Sequence, residues 1–237
     1  DLTIKMDINA VANGQTHTMH VTTSIKGSKV RTETRMDPPP NLPPAFAAQF
    51  SGVQSILIAD TKTGQRVMLM PARKMKITLP STQPSANPAN AQAPAANQFV
   101  ATGKTDTVNG YAVAEYTDSD PQHPLSIWAA KDYPNADTIR SEMKSWMDSA
   151  QRQNMPSLDQ VPGIPLKIEV KSPPGSMMPL DMTMVVSSIS TDPVSDDLFN
   201  IPDDYQDMPT GGFGGPGMAP PGAGNPQAAP PPPPPGQ

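Results

Sequence analysis

The sequence contains no cysteine and few aromatic residues. Without cysteine among its 237 residues, the chain can form no disulfide, no thiolate metal site and no thiol nucleophile. Aromatic residues make up 5% of the chain, whereas methionine is common, with 15 residues. We therefore expect an interior in which methionine takes much of the space that aromatic rings usually fill.

The chain also lacks an excess of basic residues and a long apolar run, and both absences exclude classes of protein. The formal net charge is −5, and no charged residue follows Gly211, so we expect no nucleic-acid partner. No apolar run approaches the ~20 residues of a membrane-spanning helix, so we expect no transmembrane segment. Asp1 begins inside a strand-like run with no apolar leader before it. We therefore expect a soluble, exported mature form whose signal peptide has been removed.

Strict alternation of apolar and polar residues is the main evidence for secondary structure in this sequence. Leu2, Ile4, Met6, Ile8 and Ala10 alternate with polar residues, which is typical of a strand with one dry and one wet face. Runs of the same kind recur along the chain, about eleven in all. Short turns between the first three runs predict an antiparallel meander.

The strongest turn signal lies at Asn109 and Gly110, between two extended runs. Both central residues of a type I′ turn need positive φ, which asparagine and glycine tolerate. One amphipathic helix is predicted further on, where Ile139, Met143 and Trp146 recur at helical spacing. The pattern predicts a mainly β fold, in which a strongly curved antiparallel sheet (an unclosed barrel) wraps one main helix. A flat two-sheet sandwich fits it less well.

The domain organisation follows from composition. We predict one domain over residues 1–209, interrupted by a flexible loop rich in Pro, Ala, Asn and Gln at 81–98. Residues 45–50 fit either one and a half helical turns or an ordered loop. Residues 210–237 are rich in Gly and Pro and are predicted to be a disordered tail, either a spacer or a ligand for an aromatic groove.

Three motifs carry a family resemblance. They are "KGSKVRTET" from Lys26, "GKTDTVNGYAVAEY" from Gly103 with the later "IWAA", and "DPVSDDLFNIPDDY" from Asp192. In order and spacing they resemble an uncharacterised family of exported bacterial proteins, a domain of unknown function near the LolA/LolB-like lipoprotein carriers. The resemblance runs from Leu2 to Tyr205. It implies a LolA-like open barrel with a helical lid and a periplasmic location. It also implies lipid, acyl chains or lipoproteins as candidate ligands.

Methionines on the predicted dry faces are the main candidates for a binding site. Thioether side chains are flexible and polarizable, so they suit an adaptable apolar cavity, although they also fill an irregular core. The candidate cavity residues are Met6, Met19, Val21, Met75, Trp128, Met143, Trp146, Met147, Met182 and Met184. Trp146 is the candidate for contact between helix and ligand.

Other motifs point to ordinary structure. "HTMH", His17 to His20, contains soft-metal ligands, but alternation places His20 on the other face, so we predict no metal site. The acidic run from Asp192 to Asp207 lacks the spacing and the glycine of a calcium loop. No catalytic motif is present, so we predict neither an enzyme nor a cofactor.

Two functions remain open. The first is an exported, non-enzymatic protein that binds an apolar ligand, such as an acyl chain, between sheet and helix. The alternative is an envelope interaction module with a filled core. That module would work through its proline-rich loop and tail, or through a charged sheet face with Arg31, Glu33 and Arg35. The protein partner and the oligomeric state are not predicted.

Overall fold

The fold was analysed in a computed structural model of the chain. The structure describes residues 1–12, 14–38, 54–79, 99–119, 124–150, 160–172 and 180–208, without the side chains of residues 12, 145–150 and 180. The predictions for 45–50, 81–98 and 210–237 lie outside these residues. One compact unit extends from Asp1 to Asp207.

Most of the described residues are in strands. The strands are β1 Leu2–Ala12, β2 Gln15–Lys26, β3 Lys29–Met36, β4 Ser55–Asp60, β5 Arg66–Met70, β6 Met75–Leu79, β7 Phe99–Val108, β8 Tyr111–Asp118, β9 Leu125–Ala130, β10 Ile164–Val170, β11 Leu180–Ser190 and β12 Gln206–Asp207. The α-helix, α1, spans Ala136–Ala150, and two 3₁₀ turns span Pro71–Arg73 and Asp196–Phe199. About eleven strands were predicted; β12, two residues long, lies in the acidic run.

The described strands form one sheet in the order β12-β6-β5-β4-β3-β2-β1-β11-β10-β9-β8-β7. Neighbours are antiparallel throughout except β12 and β6, which are parallel. The β7–β8 turn has the predicted conformation, because Asn109 and Gly110 both have positive φ, 51° and 83°. The short turns between β1, β2 and β3 also produce the predicted meander.

The sheet curves strongly between β11 and β8. The side-chain amide of Asn109, in the β7–β8 turn, donates a hydrogen bond to the backbone carbonyl of Val186 in β11. β9 and β10 lie between these strands. A flat sheet with a spacing of about 4.8 Å would hold β8 and β11 about 14 Å apart. Within the described residues the edge strands β7 and β12 do not pair, so the sheet is the predicted unclosed barrel.

The main hydrophobic core lies where α1 meets the sheet. Ile139 of α1 is buried, and Met143 packs on the same core, which confirms for these two residues that the helix stripe faces the sheet. Strands from both halves of the sheet contribute buried side chains to this cluster: Leu2, Ile4, Ile25, Val30, Val108, Val113, Trp128, Ala130, Ile164 and Leu166. At about 25 cal/mol per Å² of buried apolar surface, this cluster is the main source of stability at this end of the sheet.

The segment after β11 crosses the sheet as a C-terminal strap, residues 194–207. Phe199 is buried, and Ile201 and Tyr205 pack on Ile56, Val67 and Leu69. Val194 is buried as well, whereas Leu198 is 38% exposed. The strap therefore covers one face of β4 and β5 with its own small core.

Candidate functional site: a methionine-lined sheet face

Strand register shows which side chains share a face, because directly opposed residues project to the same side of a sheet. The face that carries Leu2, Ile4, Met6, Ile8 and Ala10 of β1 is called the methionine face below. One row of paired residues on it runs across eight strands: Met36, Met19, Ile8, Met184, Ile168, Ile127, Tyr116 and Ala101. Every member of this row has an apolar side chain or an aromatic ring.

Along β1, burial on the methionine face falls with distance from α1. Leu2 and Ile4, at the helix end, are 0% and 2% exposed. Further along β1, Met6 and Ile8 are only half-buried. The same partial exposure is found at their partners and at the apolar residues of β4–β6: Met19, Val21, Met36, Ile168, Met182, Met184, Leu57, Met68, Met70, Met75 and Ile77. The face therefore presents partly exposed thioethers and aliphatic chains beside a sealed core.

The opposite face is polar at the same level. His20, opposite Asp7, contacts the Asp7 carboxylate at 2.6 Å through Nδ1 and the Asp37 carboxylate at 3.2 Å through Nε2. The hydrogen bond to Asp7 and then that to Asp37 raise the pKa of His20 above its usual value. Thr18 donates a hydrogen bond to Asn9 at 2.9 Å. The two faces thus have the predicted difference in polarity.

The predicted cavity residues separate into groups. Met6 and Val21 are opposed, Met19 and Met184 flank Ile8, and Met182 lies opposite Ala10. The structure thus brings Met6, Met19, Val21, Met182 and Met184 together on neighbouring strands of the methionine face.

Four other predicted residues lie apart from that group or outside the description. Met75 pairs with Met70 near the far edge, and Met143 packs on the helix-end core. The side chains of Trp146 and Met147 are not among those the structure describes, so the proposed lid contact of Trp146 stays a prediction.

Trp128 belongs to a different environment. It is next in sequence to Ile127 and therefore points away from the eight-residue row. Its indole N–H donates a hydrogen bond to Glu169 at 3.0 Å, and the Lys167 ammonium lies 5.1 Å from the ring centroid. The ring contributes to the helix-end core through its apolar surface. Trp128 thus joins the helix-end core to a polar network and lies outside the eight-residue row.

A buried carboxylate lies on the strand next to Trp128. Glu115, directly opposite Trp128, is 4% exposed. Burial raises the pKa of Glu115, but the hydrogen bond from Thr102, the Lys104 ammonium at 3.1 Å and Ser126 together lower it below its usual value. The carboxylate is therefore paired with Lys104 and hydrogen-bonded by Thr102.

Sequence reasoning missed Glu115, and it left Ile168, Ile127 and Tyr116 out of the candidate site. Ile168, Ile127 and Tyr116 each follow the polar–apolar alternation of their own strand. That they share one row follows only from the pairing of strands β8 to β11, which spans about 70 residues of chain. Cross-strand register is the signal that identifies them.

Two acidic residues of the strap are engaged in ion pairs. Asp196 pairs with Lys26 at 2.8 Å and Asp204 with Lys74 at 2.7 Å. In both pairs the lysine lowers the pKa of the aspartate. Among the described residues, no group of three or more His, Asp and Glu side chains is placed to hold a metal ion.

Arg31 of the charged face is engaged as well. Its side chain is 14% exposed, lies 2.7 Å from Glu33, and donates to the Leu198 carbonyl at 2.7 Å. The strap thus occupies part of the surface that the interaction hypothesis assigned to Arg31, Glu33 and Arg35. Of these three, Arg35 remains exposed.

Fold and site together define a mainly β protein, whose open, curved antiparallel sheet holds a helix at one end and presents a methionine-rich face beyond it. A family profile described as "Domain of unknown function (DUF4412)" matches residues 3–205. The chain belongs to this family, which confirms the expected membership of an uncharacterised family. No curated protein matches the sequence.

Solved structures with a similar chain course were also found, each covering 84% of this chain. A LolA superfamily protein from Nitrosomonas europaea is 12% identical, with a TM-score of 0.35 and 89% of its own chain covered. A DUF1329 family protein from Desulfovibrio piger is 11% identical, with a TM-score of 0.34 and 89% covered. PNGF-II is 15% identical, with a TM-score of 0.36, and this chain spans 30% of its length.

No helix among the described residues is both long enough and apolar enough to cross a membrane.

Proposed function

We propose that this protein is a non-enzymatic, extracytoplasmic binding protein that holds an apolar ligand against its methionine face. An acyl chain of a lipid or lipoprotein is the first candidate for that ligand. The observation that carries the proposal is the eight-residue row from Met36 to Ala101, which is apolar throughout, buried at Ile127 and Tyr116, and only half-buried from Met36 to Ile168.

The dimensions and chemistry of this surface support the proposal. The half-exposed part of the row crosses five strands, or about 20 Å at a spacing of about 4.8 Å. Each methylene group removed from water there is worth about 0.8 kcal/mol. Methionine side chains can adopt several rotamers at little cost, so such a surface accommodates apolar chains of varied shape.

The periplasmic location in this proposal comes from the resemblance of the three sequence motifs to an exported family. Fractionation of the native host tests it, with the protein expected in the periplasmic extract. The absence of enzymatic activity is likewise part of the proposal. It is supported by Glu115, the buried carboxylate, which is held ionised by Lys104 and Thr102.

The decisive experiment combines native mass spectrometry with uptake of a fluorescent fatty acid. The full chain, purified from its exported fraction, is expected to carry an adduct of lipid mass that organic extraction removes. The extracted protein should then take up the fatty acid in a 1:1 ratio. A clean mass before extraction and no uptake after it would refute the proposal.

A pair of neighbouring substitutions locates the site. Met184 and Thr183 are adjacent in β11 and project to opposite faces, toward Ile8 and Asn9 respectively. Met184→Asp places a carboxylate in the apolar surface and should weaken fatty-acid binding at least about tenfold, because an unpaired charge resists burial. Thr183→Asp should leave binding within about twofold of wild type. Met184→Leu, which keeps the surface apolar, is the control for folding and should bind normally.

A further inference from the structure

Strand pairing places a further methionine beside the HTMH run, residues 17–20 of β2. Met36, the last residue of β3, lies directly opposite Met19 in β2. His17 lies two residues before Met19 and therefore projects to the same face, opposite Ala10 of β1. We propose that His17, Met19 and Met36, called here the thioether corner, form a binding site for a soft monovalent cation, Cu(I) or its analogue Ag(I).

The spacing of the three residues suits a single ion. Opposed residues in antiparallel strands have Cα atoms about 4.5–5.5 Å apart, and residues two apart in one strand are about 7 Å apart. The pairing continues past Met36, because the backbone N–H of Asp37 donates to the Thr18 carbonyl at 2.9 Å. His17 is therefore diagonal to Met36. Two long, flexible thioethers and one imidazole at these separations can converge on one point.

The chemistry of the corner selects a soft ion. Thioether sulfur is a ligand for Cu(I), and imidazole nitrogen is a suitable companion ligand. A hard cation such as Ca²⁺ requires several oxygen ligands, whereas the nearby carboxylates, Asp7 and Asp37, are bound to His20 on the opposite face. Among the described residues the imidazole of His17 makes no hydrogen bond, and His17, Met19 and Met36 are all half-buried.

A second methionine pair provides an internal comparison. Met70 and Met75 are directly opposed in β5 and β6 and are also half-buried, but no histidine lies beside them in either strand. If two thioethers alone made a site, this pair would bind the same ions. The proposal assigns tight binding to the corner that includes an imidazole.

The test uses Ag(I) on the full chain after lipid extraction, observed by NMR of protein labelled with ¹³C at the methionine methyl groups. Substoichiometric Ag(I) is expected to shift two methyl resonances, those lost in the Met19→Leu and Met36→Leu proteins. A shift confined to other methionines, or no shift at all, would overturn the proposal.

Affinity is measured by competition with a chromophoric Ag(I) or Cu(I) chelator. His17→Ala and Met36→Leu are each expected to weaken binding about tenfold or more, and Met75→Leu to leave it unchanged. Equal affinities for wild type and His17→Ala would also refute the site. His17 lies outside the eight-residue row, so His17→Ala should retain fatty-acid uptake. Loss of the cation site and loss of the apolar-ligand site are thus separate results.

Discussion

The side-chain amide of Asn109 donates a hydrogen bond to the backbone carbonyl of Val186, across the two strands that separate β8 from β11. The contact fastens the tip of the β7–β8 hairpin to the centre of the sheet. Asn109 also has a φ of 51°, so one residue provides both the turn and the tie. The contact thus adds a polar tie to the curved part of the sheet, beside the helix-end core.

Removal of that amide should loosen the curved end of the sheet. Asn109→Gly keeps the positive φ and loses the hydrogen bond, so it should lower the free energy of unfolding by about 1 kcal/mol. Asn109→Ala loses the bond and must also adopt a left-handed φ, which adds about 1 kcal/mol more. Urea denaturation monitored by tryptophan fluorescence measures both values. Equal stability of wild type and Asn109→Ala would contradict the assigned role.

Local features of the fold were accessible from the sequence. Alternation in β1 identified the dry face with Leu2 and Ile4, and the Asn109–Gly110 dipeptide identified a hairpin, because both signals depend on neighbouring residues only. The helix stripe at Ile139 is of the same kind. These elements follow from the intrinsic preferences of short segments.

The candidate site could not be predicted in full, because it depends on pairing between strands that are distant in sequence. β1 pairs with β11, more than 160 residues away, and that pairing shifts by a bulge between Lys5 and Met6. Alternation alone does not reveal which distant strand is the neighbour, and therefore could not place Ile168 in the methionine row or Trp128 outside it. The hydrogen bond from Arg31 to the Leu198 carbonyl could not be predicted either, because it depends on where the strap lies on the sheet.

Gly163, which precedes β10, should tolerate no side chain. A Cβ there would lie 2.6 Å from the carbonyl carbon of Ala130 and 2.9 Å from the Cα of Lys131, and the φ of Gly163 is +94°. Because backbone atoms must move, Gly163→Ala should cost more than about 3 kcal/mol of stability. The matched control is Gly14→Ala, where φ is +75° but nothing lies within 4 Å, with an expected cost of about 1 kcal/mol. Similar costs at both glycines would show that β9 and β10 are less closely packed than described.

The strap should be held by its apolar residues rather than by its ion pairs. Phe199 is 7% exposed, and the Lys29 ammonium lies 6.0 Å from its ring centroid. Phe199→Ala should cost about 2–4 kcal/mol, because a buried ring is removed. Asp204→Asn should barely move the urea midpoint, because its pair with Lys74 is exposed to solvent. Hydrogen exchange at Gln206, whose N–H donates to the Lys74 carbonyl, should accelerate in Phe199→Ala only. Faster exchange in Asp204→Asn alone would reverse this assignment.

His20 should make stability depend on pH in the neutral to alkaline range. Hydrogen bonds to Asp7 and Asp37 raise its folded-state pKa above the 6.5 of a free histidine. The contribution of protonated His20 to the free energy of unfolding is therefore fully present below pH 6.5. It is lost as the pH rises through the folded-state pKa. His20→Gln should thus destabilise the protein more at pH 6 than at pH 9. Since the imidazole is 35% exposed, the difference should shrink in about 1 M NaCl, where the Debye length is about 3 Å.

Thr22→Ala, two residues further along the same face, should show no such pH dependence. A destabilisation by His20→Gln that is constant from pH 6 to pH 9 would mean that the imidazole bridges the two aspartates without carrying a charge.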